Sequence, residues 1–193
     1  MPLWFGQEIQ ALPRGARLTG NHTTVNDVHI RPALEADIPE LHALVESAYR
    51  GETARAGWTH EADLLEGPRT STEALQAVLA DPDELLLLVQ DGAAIVGSVQ
   101  LTRLSPSTTY LGMLTVKPGR QSGGLGKWIM NAAEEEARRR FGAETMELSV
   151  VSQRAELIAY HGRRGYRETG ELKPFPIPLD PPFFLAVLRK PLS

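Results

Sequence analysis

Along residues 1–27 the apolar and polar positions show no clear period, and the segment, which includes MPLWFG and HTTVND, is left unassigned. From Val28 the pattern firms. VHIRPA alternates and predicts a short strand. Asp37 is placed to cap a helix whose apolar face is Ile38, Leu41, Leu44, Val45 and Ala48. The stretch 49–71 is rich in Gly, Thr and charge and reads as loop with a short helix, followed by a helix over 71–80. ELLLLVQ, the Asp91-Gly92 pair and AAIVGSVQLTRL predict a hairpin. TTYLGMLTV is the next strand, ended by Pro118.

Beyond it, Leu125, Trp128, Ile129, Ala132, Ala133 and Ala137 recur at helical spacing, and the EEE and RRR runs after them read as a solvated face. ETMELSVV is a strand, 154–164 a short helix stopped at Gly165, and GYRETG a strand. The proline-rich KPFPIPLDPP leads to a last strand, FFLAVLRKPL. The order is strand, helices, three strands, helix, strand, helix, two strands. It predicts one mixed α/β domain over 28–193 behind an N-terminal extension, 1–27, of unknown role, with no internal repeat.

Between strand and helix lies PGRQSGGLGKWIM, residues 118–130, with three glycines in four positions. Glycines let backbone N–H groups approach a ligand closely, and the helix start adds unsatisfied donors and partial positive charge. Together they form a site for phosphate oxygens, with Lys117, Arg120 and Lys127 adding charge. A tight turn without a ligand is the alternative, but a turn rarely needs three glycines in four residues. A P-loop is excluded because Gln121 stands where its first glycine belongs and Trp128 where its hydroxyl belongs. A dinucleotide fingerprint fails at Ile129, its third glycine position.

Composition narrows the classes. The 193 residues are 42% hydrophobic and 23% charged, a soluble globular balance in a single domain. A net charge of −4 argues against a nucleic-acid partner and leans weakly toward a cationic substrate. The absence of cysteine removes disulfides, thiolate metal sites and cysteine nucleophiles. Leu85 to Val89, the longest apolar run, is far too short to span a bilayer, so no membrane partner is expected and the cytoplasm is the default.

The run LTVKPGRQSGGLG, residues 114–126, and AELIAYHGRRGY, residues 155–166, resemble the signatures of the GNAT superfamily of acyl-CoA-dependent N-acetyltransferases. IRPA at 30–33 and the helix after it fit as well, and the resemblance covers roughly 28–190. It implies a mixed, mostly antiparallel α/β (α+β) sheet flanked by helices, with a splay between two central strands. It implies acetyl-CoA as cosubstrate and no metal. The pyrophosphate would contact the backbone of Gln121, Ser122, Gly123, Gly124, Leu125, Gly126 and Lys127. The pantetheine arm would pair with Leu114, Thr115 and Val116, where a backbone donor would polarise the thioester carbonyl. The acceptor would be a primary amine of a small molecule or peptide, and a homodimer is compatible with the family. A non-catalytic acyl-CoA sensor is the alternative.

The family commonly protonates the departing thiolate with a tyrosine four residues before the Gly-aromatic pair. Here that position is His161, and Tyr160 lies one residue earlier, rotated by roughly 100°. His161 itself, Tyr160 after a register change, or positioning alone are the competing readings; a fourth makes His161 a core histidine. No carboxylate sits on the strand Tyr110 to Val116, so water or side chains of the 49–70 stretch would serve as base, with Glu52, His60, Glu61 and Asp63 the candidates. Tyr49 and Trp58, with His60 and Glu61, are candidates to wall the acceptor pocket.

Overall fold

The computed structural model describes residues 28–50, 67–176 and 182–193. Its elements are β1 (Val28–Pro32), α1 (Ile38–Tyr49), α2 (Thr72–Ala80), β2 (Glu84–Asp91), β3 (Ala94–Arg103), β4 (Thr108–Val116), α3 (Leu125–Phe141), β5 (Thr145–Val151), α4 (Ala155–Gly162), β6 (Arg167–Pro174) and β7 (Phe184–Pro191), with 3-10 turns at Glu35–Asp37 and Gln121–Gly123. This is the order expected from the sequence. The seven strands form one sheet in the order β1-β2-β3-β4-β5-β7-β6, and every neighbour pair is antiparallel except β4 with β5.

Two cores lie on the two faces. Ile38, Leu41, Leu44, Val45 and Ala48 of α1 are all buried, together with Leu75 of α2 and Leu86, Leu88 and Ile95 of the sheet. On the opposite face Ile129, Met130, Ala133 and Ala137 of α3 pack on Leu111, Met146, Leu148 and Val150. Helix α2 is capped by Ser71, whose Oγ accepts the Ala74 N–H at 3.1 Å.

Two expectations change. Asp37 does not cap α1 through its side chain. Its carboxylate instead accepts the Leu34 N–H at 2.7 Å, closing the 3-10 turn, and pairs with Arg31 at 2.7 Å. The acidic run on α3 is not wholly solvated. Glu134 is buried and accepts the Tyr166 hydroxyl at 3.0 Å and Lys190 Nζ at 2.6 Å. A carboxylate is tolerated there because both donors converge on it.

β4 and β5 pair only through Thr108–Tyr110 with Thr145–Glu147 and then part. A bulge in β4 accompanies the parting. The register against β3 shifts by one residue between Ser98 and Gln100, and Met113 adopts φ 45°, a left-handed conformation uncommon for a side chain of its size. Gly97 of β3 lies behind this region. A Cβ on it would stand 2.8 Å from Ile129 Cδ1 and 3.0 Å from the Thr115 carbonyl oxygen. The backbone oxygen cannot yield as a side-chain tip can. Gly97→Val is therefore expected to lower stability by roughly 1–3 kcal/mol, measured by chemical denaturation, with an unchanged midpoint as the contrary result.

Candidate functional site

Where β4 and β5 separate, a cavity of about 830 Å³ opens between them and runs to the glycine loop. β4 lines it with Tyr110 through Leu114 and Val116, and β5 with Leu148 through Val151. Past Tyr110, the edge of β4 that faces β5 has no ladder partner, so its backbone is open to an extended ligand, although the Leu114 and Val116 carbonyls each already accept one side-chain donor.

The loop closes one end. Gly124 sits at φ 77° and forms the N-cap of α3 without a side-chain cap, and the first turn carries no acidic residue. The first helical donors therefore face outward, and nothing lies within 4 Å of where a Cβ on Gly123 or Gly124 would be. Gly126 is tighter. A Cβ there would come within 3.3 Å of Tyr160 Oη, so α4 closes over the start of α3. Gln121 Nε2 donates to the Val116 carbonyl at 3.3 Å and ties the loop to the strand end.

Of the expected ligand-binding positions, Leu114, Val116, Gln121, Gly124, Gly126 and Lys127 line the cavity. Thr115 does not. It is buried with its hydroxyl on the Met113 carbonyl at 3.1 Å, while its backbone pairs opposite Ser98. Leu125 anchors the helix in the core. Ser122 and Gly123 belong to the 3-10 turn before α3. Arg120 adds no charge to the cradle, because its guanidinium is spent on Asp91 at 2.6 Å. Arg164, at the end of the short helix that the sequence predicts over 154–164, carries no ligand signal in the sequence. Its Cζ lies 3.3 Å from the Tyr160 ring centroid, and it lines the cavity, as Lys127 does.

Tyr49 has two partners of use. Its hydroxyl donates to the Leu114 carbonyl at 2.7 Å, pinning the bulge, and Arg69 lies over its ring at 5.2 Å. On the far wall Tyr110 Oη and Ser149 Oγ share a hydrogen bond of 2.6 Å across the point where the strands part. No carboxylate lines the cavity among the described residues. Glu147, adjacent on β5, is engaged by Lys173 at 2.9 Å and Arg189 at 2.8 Å. Burial alone would raise its pKa, and those two bonds outweigh burial and hold it below the ordinary carboxylate range. Glu52, Trp58, His60, Glu61 and Asp63 lie outside the described residues.

Tyr160 and His161 both line the cavity. His161 is buried, its Nδ1 has no hydrogen-bond partner, and its ring meets Tyr160 and Tyr166 edge-on at 5.3 and 5.8 Å. Burial first, and then the Arg164 charge, lower its pKa to about 4. At neutral pH it is a neutral ring, and its acidic form is about a thousandth of the population.

A family model, the acetyltransferase (GNAT) family, matches residues 40–166. The chain belongs to the GNAT family. That match spans the β4 bulge, the glycine loop and α4. Solved structures share the GNAT fold at low identity. The ribosomal-protein-S18-alanine N-acetyltransferase of Escherichia coli superposes with TM-score 0.66 at 17% identity, covering 86% of this chain and 94% of that one. An acetyltransferase of Salmonella typhimurium, solved with its cofactor acetyl-CoA, gives 0.64 at 18%, covering 86% and 95%. The spermidine/spermine N-acetyltransferase of Vibrio cholerae gives 0.65 at 15%, covering 89% and 96%. No match was found among the curated proteins. Among the described residues there is no group of three His, Cys, Asp or Glu that could hold a metal ion, and no helix long and apolar enough to cross a membrane.

The histidine has a measurable consequence. Its folded pKa is depressed, so between about 4 and the unfolded value of about 6.5 the unfolded chain binds the extra proton. The stability it contributes is present above pH 6.5 and is lost as pH falls toward 4. Replacing it by Phe is expected to flatten the stability–pH curve in that window by up to about 1.4 kcal/mol per pH unit. Denaturation midpoints from pH 7 to 4 read this directly, and an unchanged slope contradicts it.

Proposed function

We propose that the protein is an acetyl-CoA-dependent N-acetyltransferase. It moves an acetyl group to a primary amine of a small molecule or peptide by direct transfer in a ternary complex. One observation carries the reading: the open edge of β4, its bulge and the uncapped start of α3 face one continuous cavity. Those parts match what an acyl-CoA needs, namely an anion cradle, a strand-like slot for the pantetheine and a backbone donor at the thioester.

Each group then has a task. The N–H groups at Gly124 to Lys127, with the Lys127 ammonium, hold the pyrophosphate. Leu114 and Val116 pair with the extended arm. The bulge re-aims a backbone N–H of the Met113–Leu114 stretch at the carbonyl that gains charge in the tetrahedral step. Tyr49, bonded to the Leu114 carbonyl, holds that bulge in place. Tyr160 Oη faces Gly126, near the phosphate end of the arm, and serves binding. His161 is a neutral wall group. Positioning and backbone polarisation supply the rate: the amine attacks as the neutral form, the C–S bond breaks to release the CoA thiolate, and the proton lost by the nitrogen passes to that thiolate directly or through water, with no ionised side chain as the acid. The alternative, an acyl-CoA sensor, draws support from the neutral His161 at the family's tyrosine position.

The tests separate these roles. Acetyl-CoA at about a hundredfold excess over Kd is expected to raise Tm by roughly 5–10 °C; no shift at millimolar ligand removes the acetyl-CoA assignment. Gly124→Asp places a carboxylate in the cradle and is expected to abolish that shift; at φ 77° the side chain costs about 1–2 kcal/mol, which Asp bears better than most residues, so a denaturation curve of the variant is read alongside to show that the fold survives. In a thiol-release assay over an amine panel, Tyr160→Phe is expected to raise the KM for acetyl-CoA more than it lowers kcat, and His161→Gln to change kcat by less than about tenfold. A loss of about a thousandfold or more at His161 would restore it as a proton carrier. Binding without turnover of any amine selects the sensor.

A further inference from the structure

A second, smaller cavity of about 220 Å³ lies between α2 and the β3–β4 ladder. Leu75 and Val78 of α2 give it apolar walls, and Gln100 and Thr102 of β3, both donating to Glu84, line it from the sheet. Arg69, Tyr110, Gly112 and Met113 line both cavities. Met113 is packed into the core under α1, and Arg69 lies over the Tyr49 ring. The ring of Tyr110 and the bare backbone of Gly112 are left to divide the two.

Tyr110 is held in that position from two sides. Strand alternation puts residues 110 and 112 on one face of β4. The ring lies against Gly112, where a Cβ would stand 3.0 Å from Tyr110 Cε1, closer than side chains ordinarily pack. The missing side chain lets the ring lie along the strand, and its hydroxyl reaches Ser149 Oγ of β5 at 2.6 Å. That bond spans the two strands just past the end of their ladder, whose last partners are Tyr110 and Glu147.

The direction of β4 makes this the far end of the slot. The strand runs from Thr108 to Val116 and on to the glycine loop. A ligand with its phosphates at Gly124 meets Val116 first, then Leu114 and the bulge, and then Gly112 and Tyr110. The thioester carbonyl is assigned to the bulge, so the acyl chain beyond it extends toward the Tyr110 ring. We infer that the Tyr110 ring, seated on Gly112, is the end wall that restricts the acyl group to acetyl and closes the cavity under α2 to longer chains. The inference rests on the acetyl-CoA reading. A fitted apolar site separates ligands that differ by one methylene by about tenfold or more, provided its wall does not yield. A ring fixed at two points meets that condition.

Calorimetric titration with acetyl-CoA and butyryl-CoA tests this and needs no acceptor. The parent is expected to bind acetyl-CoA about tenfold tighter than butyryl-CoA. Tyr110→Ala joins the two cavities, and the ratio is expected to fall to one or below. Tyr110→Phe keeps the ring and should keep the preference. Tyr110→Leu leaves an apolar side chain on the strand and carries the test where Tyr110→Ala does not fold. Ala74 is an exposed residue lining the second cavity, and Ala74→Phe added to Tyr110→Ala is expected to refill the space and restore the preference for acetyl-CoA. Equal binding of both ligands by the parent, loss of the preference in Tyr110→Phe, or an unchanged ratio in Tyr110→Ala or Tyr110→Leu overturns the assignment of Tyr110. So does a changed preference over an amine panel with an unchanged acyl-CoA ratio, which gives the second cavity to the acceptor. Failure of the parent to bind any acyl-CoA overturns the acetyl-CoA reading itself, so the two failures are distinguishable.

Discussion

The rest of the site depends on β4 and β5 ceasing to pair after three residues. A strand edge buried within a domain normally meets another strand, because unmatched backbone groups are costly. Here the bulge at Met113 and the diverging path of β5 leave that edge facing a cavity. The structure tolerates the opening because each flank is secured separately. β3 pairs with β4 through the bulge, β7 pairs with β5 over all seven of its residues, and separate hydrophobic cores support the two faces.

The glycine loop gains its meaning from this gap. A helix start with exposed donors is a general anion site, and by itself it does not choose between ligands. Joined to a strand-shaped slot, it suits the proposed ligand, a molecule with a phosphate end and a long amide-bearing arm. The tyrosines complete the frame: Tyr49 pins the bulge from the α1 face, and Tyr160 closes on Gly126 from the α3 face.

Much of the fold was legible because local signals were strong. The Asp91-Gly92 turn, the period of α3 and the loop between Pro118 and Lys127 each occupy a few consecutive residues. What failed depended on distant partners. Glu134 reads as a surface charge until Tyr166 and Lys190 arrive from α4's far end and β7. Arg120 reads as added positive charge around the loop until the β2–β3 turn brings Asp91 to it. His161 reads as a candidate proton donor until burial and Arg164 lower its pKa. Arg69 gave no signal at all, since its place over Tyr49 arises only when the segment before α2 folds against the end of α1.

Amide hydrogen exchange with and without acetyl-CoA tests the central claim most directly. Protection is expected to rise along Leu111 to Val116, where the arm would complete the strand edge, and along Gly124 to Trp128, where the phosphates would meet the start of α3. Protection confined to other segments, or absent from β4 while the ligand is bound, would contradict the account.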